Sequence, residues 1–245
     1  MTSEATPVVP EATPAVPEAT PAAAEQTAPR TRSTQDRIME NKIIAAEQLA
    51  KILPAETDLA GTLSEADYGA QELVRFDTLQ QKAWKDYGAQ GLAAGEQKNA
   101  TKRFLASEKA ARKSFVKERG KGKAAFMKDP IGREIVGLNG TIPGSLIGLI
   151  GAGRKLAGAV DKPEYAVKLA KKGVTAAKLA DLGVKLDALE AADQEQVLAK
   201  SAASVALLQR NASAQELFDW VAEFRTFAKA EFKDHPEILK RWGFK

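Results

Sequence analysis

The spacing of apolar residues after residue 33 restricts what this chain can fold into. Almost nothing there alternates apolar and polar residues with period two, whereas apolar residues recur three and four positions apart over long stretches. The same region is dominated by alanine, leucine, lysine, glutamate and glutamine, which are strong helix formers. We therefore predict an all-α fold, a bundle of about four long helices that forms a single domain over residues 33–245.

Residues 1–32 have a different composition. The unit Glu-Ala-Thr-Pro begins at Glu4, Glu11 and Glu18, and six of the eleven prolines lie before residue 30. Such a segment buries too little apolar surface to offset the entropy of ordering it, so we predict a disordered tail with polyproline II character. A passive tail and a spacer or docking segment are both compatible with this composition.

Helix boundaries in the N-terminal part, residues 33–120, follow from capping residues and from glycine and proline. Ser33 and Asp36 predict a helix start, and Pro54 ends that helix near residue 53. A second helix is predicted from about residue 62 or 64, with a kink or break among Gly88, Gly91 and Gly95. Helix is then expected from about residue 96 to residue 119.

Residues 121–175 are predicted to form short helical units with glycine-rich loops at one end of the bundle. Pro130 and Pro163 each read as an early helical proline, and a weak repeat with an offset of 33 residues pairs them. Residues 176–245 are predicted to form a helical hairpin. Its first helix runs to about residue 208, and Ser213 with Glu216 forms a capping box that begins the second.

The end of the chain carries a family resemblance. The pattern Trp220-x-x-x-Phe224-Arg225-x-x-Ala228, followed by Asp234-x-Pro236-x-x-Leu239-x-x-x-Gly243, resembles the ending of uncharacterised bacterial helical-bundle proteins. The resemblance covers about the last 85 residues. It implies a helical bundle and no particular activity.

The residue inventory argues against catalysis. The chain has no cysteine and one histidine, His235, so thiolate chemistry, a Ser-His-Asp triad and a histidine-rich metal site lack their residues. The glycine-rich stretches do not match a phosphate-binding loop. We therefore expect no enzymatic activity, no catalytic or metal-binding residues, no cofactor and no small-molecule substrate.

Residues 98–128 form a strongly basic stretch. They hold eleven lysines and arginines against two glutamates, a net charge of +9. If this stretch is helical, one side of it could neutralise the phosphates of a nucleic acid without reading its sequence. The alternative is a solvated face that lies against an acidic helix with Asp58, Glu65, Asp67, Glu72 and Asp77. The candidate anion-binding residues are Lys102, Lys109, Arg112, Lys113 and Lys117.

Residues 142–153 are uncharged, but they are too few to span a bilayer. We expect a buried helix whose glycines allow close packing, in preference to peripheral contact with a membrane. The leading functional hypothesis is a non-enzymatic interaction or scaffold protein that binds another protein or a second copy of itself. The alternative is a nucleic-acid-binding protein that uses residues 98–128. Without a secretion signal or cysteines, the expected location is the cytoplasm.

Overall fold

The structure, a computed structural model, describes residues 33–244, and over that range it is all-α and contains no β-strand. The predicted tail, residues 1–32, lies outside the described residues. The helices in chain order are α1 (Thr34–Ile52), α2 (Ala60–Glu65), α3 (Ala70–Ala125), α4 (Pro130–Ile135), α5 (Leu146–Ala157), α6 (Pro163–Ala170), α7 (Ala176–Glu231) and α8 (Pro236–Arg241).

Helices α3 and α7 are the two long helices against which the shorter helices pack. Each has 56 residues and is therefore about 84 Å long at 1.5 Å per residue. Cross-helix contacts join Glu72 to Trp220, Lys82 to Glu216 and Arg103 to Glu195, so residue numbers rise along α3 as they fall along α7. The two helices are thus antiparallel and paired along their whole length.

The predicted break at Gly88, Gly91 and Gly95 is wrong, because α3 runs through all three glycines without interruption. A Cβ atom built at any of them would meet no other atom within 4 Å. The glycines therefore lie on an open surface of the helix. Each weakens the helix by up to about 1 kcal/mol relative to alanine, which the strong helix formers around them and the pairing with α7 outweigh.

The chain turns instead at the first copy of the pentapeptide Asp-Tyr-Gly-Ala-Gln, residues 67–71. Asp67 has a left-handed φ of 64°, and the N–H of Tyr68 donates back to the carbonyl of Leu63. This closes α2 and lets α3 begin after Gly69, later than the predicted start near residue 62. The second copy, residues 86–90, lies inside α3, so tertiary packing decides the conformation of this sequence.

The predicted start of a helix at Ser213 is also wrong. Ser213 is buried inside the continuous α7, and its hydroxyl donates to the carbonyl of Arg210 one turn earlier. Arg210 in turn donates to Asp36 of α1 and to Gln90 of α3. Since the serine is satisfied within the helix, it caps nothing, and α7 continues to Glu231.

Two separate cores lie at the two ends of the α3–α7 pair. The first, which we name the α1 core, joins α1, the beginning of α3, the end of α7 and α8 around Phe76, Trp220 and Phe224. The second, the α5 core, joins the end of α3, the beginning of α7 and α4 to α6 around Phe115 and Leu182. The short helices between residues 124 and 175 thus lie at one end of the bundle, as predicted.

The structure contains an internal repeat of 106 residues. Helices α3 and α7 begin at residues 70 and 176, helices α4 and α8 begin at residues 130 and 236, and both pairs have equal lengths. In the same order, α1 and α2 precede α3 just as α5 and α6 precede α7. Since α3 and α7 are antiparallel, the two units are related by an approximate two-fold axis. Buried counterparts include Ile43 and Leu149, Phe76 and Leu182, Ala83 and Leu189, Phe126 and Phe232, and Leu138 and Phe244.

The helices α4, α6 and α8 share one design. Each begins with proline in its first turn, namely Pro130, Pro163 and Pro236. This position is predicted from the sequence for Pro130 and Pro163. Each is followed by a glycine with φ between 70° and 80°, Gly137, Gly173 or Gly243. The next residue donates its N–H five residues back and buries its side chain. The counterpart of Gly173 is therefore Gly137, and not Gly140 as the 33-residue offset suggested.

The prediction that glycines in residues 142–153 allow close packing is confirmed at Gly153. A Cβ atom there would lie 2.7 Å from Cδ1 of Leu186 on α7. The rest of the segment is less buried than predicted, since Gly151 faces open space and Ile147 is exposed. Helix α5 therefore buries one face and leaves the other to solvent.

Replacing Gly153 by alanine is expected to lower the free energy of unfolding by about 1–3 kcal/mol, because the added methyl group overpacks the contact with Leu186. Gly151→Ala in the same helix is the matched control. It should raise stability by about 0.5–1 kcal/mol, since the site is open and alanine favours helix. Urea unfolding followed by circular dichroism measures both. Equal effects of the two variants would contradict the close approach.

A second prediction concerns Asp129, which joins α4 to α6. Its carboxylate accepts from Nζ of Lys168 at 2.7 Å and from the N–H of Gly132 at 2.7 Å, and these bonds hold the pKa of Asp129 below its ordinary value. A lowered pKa in the folded state stabilises the protein above the unfolded-state pKa of about 4, and that gain is lost as the pH falls through the folded-state pKa.

Asp129→Asn keeps an acceptor for the N-cap bond and removes the charge. The variant should be less stable than the parent at pH 7, and the difference should shrink below about pH 4. Urea midpoints measured from pH 7 to pH 3 test this. A difference that stays constant over the range would show that the ion pair with Lys168 does not contribute.

Candidate interaction surfaces

Four of the five predicted anion-binding residues lie together on the solvent side of α3. We name Lys102, Lys109, Lys113 and Lys117 the lysine stripe. All four are exposed, and none forms an ion pair with a described residue. At 100° per residue they fall on the face opposite the buried Ala111 and Phe115. The stripe extends over about 22 Å of the helix.

The fifth candidate, Arg112, lies apart from the stripe. Its side chain is half-buried, donates to Oε1 of Glu108 at 3.0 Å and donates to the carbonyl of Pro143 at 3.1 Å. These bonds hold the loop before α5 against α3. Arg112 therefore helps to hold this loop, and its part in an anion-binding surface stays a prediction.

The acidic residues 58–77 do not cover the basic stretch. They lie around the beginning of α3, and Asp77 is about 37 Å along the helix from Lys102. Other partners neutralise part of the stretch: Arg103 pairs with Glu195 of α7, and Lys121 lies 3.7 Å from Glu118. The lysine stripe is the part of this stretch that lies on one exposed face of α3 without an ion pair to a described residue.

The acidic residues at the beginning of α7 are also engaged. Arg154 of α5 pairs with Asp187 at 3.2 Å and with Glu190 at 2.5 Å, and these carboxylates raise the pKa of the guanidinium. No group of three histidine, aspartate or glutamate side chains within residues 33–244 is arranged to hold a metal ion. His235 is exposed and bonds to Glu237.

A second surface lies at the waist, which we define as residues 88–103 of α3 and 193–210 of α7. Neither core includes a residue of the waist, and its buried side chains are small or polar, such as Ala100, Gln196 and Arg210. The two long helices lie against each other here, and Arg210 also donates to Asp36 at the start of α1. A pair of helices buries one strip of each, so the outer faces stay open.

The outer face of α7 at the waist is apolar. Four large side chains there are between 57% and 70% exposed and fall within about 100° of the helix circumference. We name them the α7 apolar face: Val197, Leu198, Val205 and Leu208. The sequence pattern gives little indication of this face, because apolar residues at helical spacing look the same whether they face a core or solvent.

None of the helices within residues 33–244 combines the length and the apolar character needed to cross a membrane. Residues 142–153 form the start of α5 and the loop before it. Leu149 of this segment belongs to the α5 core, and Gly153 is buried against Leu186.

No protein-family model, curated protein or solved structure matches this chain. In the C-terminal pattern that suggested a resemblance, Trp220, Phe224 and Ala228 are buried in the α1 core, Pro236 begins α8 and Gly243 follows it. These five residues contribute to packing and to the ends of α8.

Proposed function

We propose that this chain is a non-enzymatic interaction protein that binds an amphipathic helix through the α7 apolar face. One observation carries the proposal: four large apolar side chains lie exposed on one arc of a helix that has no core beneath it on that side. Exposed apolar patches of this kind are typical of interaction sites. The helix could come from a different protein or from a second copy of the chain.

The geometry supports this in two further ways. The face is part of one uninterrupted 56-residue helix, so a partner helix can pack along it at residues three, four and seven apart. Ser201 lies within this arc and Ser204 at its edge, and their small side chains permit close approach of another backbone. Burying the four side chains would stabilise the complex by about 1.5–3 kcal/mol for each side chain. This gain offsets the entropy cost of association only if the partner covers most of the four.

The double variant Leu198→Glu, Val205→Glu should abolish the interaction and leave the fold intact, because both side chains project into solvent. Val74→Glu, Val184→Glu is the matched control, since these two valines are equally exposed but lie outside the waist. Sedimentation equilibrium of the full chain measures self-association. A photoreactive residue placed at Ser201 identifies a different partner by cross-linking in cells.

Association or a Ser201 cross-link that the first double variant removes and the control keeps would support the proposal. A chain that is monomeric at every concentration and gives no cross-link at Ser201 would contradict it. So would an interaction that both double variants weaken equally.

A second candidate function, sequence-independent binding of nucleic acid, is favoured by the lysine stripe. Four neighbouring cations without counter-charges can neutralise phosphates, and such binding weakens steeply with salt. The stripe contains no side chain placed to read base edges, so DNA and RNA of any sequence would bind alike.

Lys109→Glu, Lys113→Glu, Lys117→Glu should remove this binding. At low salt the affinity should fall by more than about tenfold, and the slope of log affinity against log salt should fall by about 3. Fluorescence anisotropy with a labelled duplex measures both quantities. Lys171→Glu, Lys172→Glu, Lys178→Glu is a charge-matched control on α7 and the loop before it. Unchanged binding in the stripe variant would exclude the stripe.

A further inference from the structure

A cleft of about 710 Å³ opens at the α1 end of the molecule, between α1, α7 and residues 240–244. Its floor is apolar and partly aromatic, with Phe218, Val221, Trp242 and Phe244. Four cationic side chains also line it, and no acidic side chain of the described residues does: Lys42, Arg225, Lys240 and Arg241.

Three of these cations have no counter-charge. Arg241 pairs with Glu56 at 3.0 Å, whereas Lys42, Arg225 and Lys240 form no ion pair with a described residue. The aromatic rings of the floor hold two of them in place. Nζ of Lys42 lies 5.0 Å from the centre of the Phe218 ring, and Cζ of Arg225 lies 5.8 Å from that of Phe244. The cleft therefore combines an apolar floor with positive charge at its rim.

The internal repeat shows what fills the corresponding place at the other end. The counterpart of Arg225, 106 residues earlier, is Arg119, which is buried. Its Nη2 lies 2.7–3.4 Å from the carbonyl oxygens of residues 138–141, and the next residues of the same loop lead to Pro143, whose carbonyl accepts from Arg112. A non-helical, proline-containing segment thus lies over the arginine at that end.

No described segment covers Arg225 in the same way. An occupant of the cleft should supply oxygen acceptors to the arginine, negative charge to Lys42 and Lys240, and proline or another compact apolar residue to the aromatic floor. Proline-rich extended chains suit aromatic grooves because they lose little entropy on binding. We infer that the occupant is the N-terminal Glu-Ala-Thr-Pro segment of this same chain, residues 4–25.

The charge and length of that segment fit the cleft. Glu4, Glu11, Glu18 and Glu25 are its only charged residues, and each Glu-Ala-Thr-Pro unit brings a proline three positions after its glutamate. Lys42 lies about 12 Å along α1 from Thr34, and eight extended residues, such as 25–32, span about 25 Å. Glu25 and Glu18 can therefore reach the cleft from the start of α1.

The lysine stripe is the competing site for the same acidic segment, since it carries four free cations of its own. The stripe has no aromatic floor, and the internal repeat holds no extended segment at the position equivalent to the stripe. The cleft has an aromatic floor, and its equivalent position does hold an extended segment, so we place the N-terminal segment in the cleft. The stripe serves as the internal control of the experiment.

Because the chain has no cysteine, Ala22→Cys creates a single site for a nitroxide spin label in the full chain. Paramagnetic broadening of the amide signals in an isotope-labelled sample then reports which residues lie near the segment. Signals of Phe218, Val221, Arg225 and Trp242 should lose intensity, and those of residues 139–145 at the far end should keep it. Dilution should not change the pattern, because the contact is intramolecular.

The double variant Lys42→Glu, Arg225→Glu should restore the intensity of the cleft signals, because the cleft then repels the acidic segment. Adding Glu18→Lys, Glu25→Lys to that variant restores the attraction and should broaden the same signals again. Lys109→Glu, Lys113→Glu, with the same change of charge on the lysine stripe, should leave the broadening unchanged. Three results would overturn the inference: no broadening at the cleft, broadening that the cleft variant does not alter, or broadening only when spin-labelled and isotope-labelled copies are mixed.

Discussion

The antiparallel pairing of α3 and α7 is the constraint on which the rest of the structure depends. Two helices of 56 residues can bury only one strip each against one another, and at the waist that strip is narrow, with Ala100, Gln196 and Arg210 among its buried residues. Most of the stability must therefore come from the ends, where α1 or α5 adds a third layer. The exposed surfaces at the waist are a direct result of this arrangement.

The sequence predicted much of the fold, because helical periodicity and capping are local. Ser33 caps α1, Pro54 ends it, and Pro130, Pro163 and Pro236 lie in the first turn of short helices. Local signals failed where a distant contact decided the outcome. Gly88 to Gly95 stay helical because α7 supports α3, and Ser213 stays helical because Arg210 is anchored by Asp36 of α1.

The candidate surfaces were predictable only in part. The lysine stripe follows from charge and helical spacing, but its lack of counter-charges depends on where acidic residues 58–77 lie in three dimensions. The contact of Arg112 with Pro143 could not be predicted, because nothing local distinguishes a solvated arginine from one that holds a loop. The α7 apolar face could not be separated from core by pattern alone. The sequence does not indicate the 106-residue repeat, because the equivalent positions share burial and geometry more than residue identity, as Phe76 and Leu182 show.

The two cores differ in where their residues lie along the chain. The α5 core draws on residues 104–189, whereas the α1 core joins residues 39–87 to residues 217–244. During synthesis from the N-terminus, the α5 core is therefore complete about 55 residues before the last member of the α1 core emerges. At roughly 5–20 residues per second this interval is on the order of several seconds. For roughly the first half of that interval, until residue 217 has been made, Ile43 and Phe76 have no partner from α7. The N-terminal half of the chain is therefore the last to complete its core.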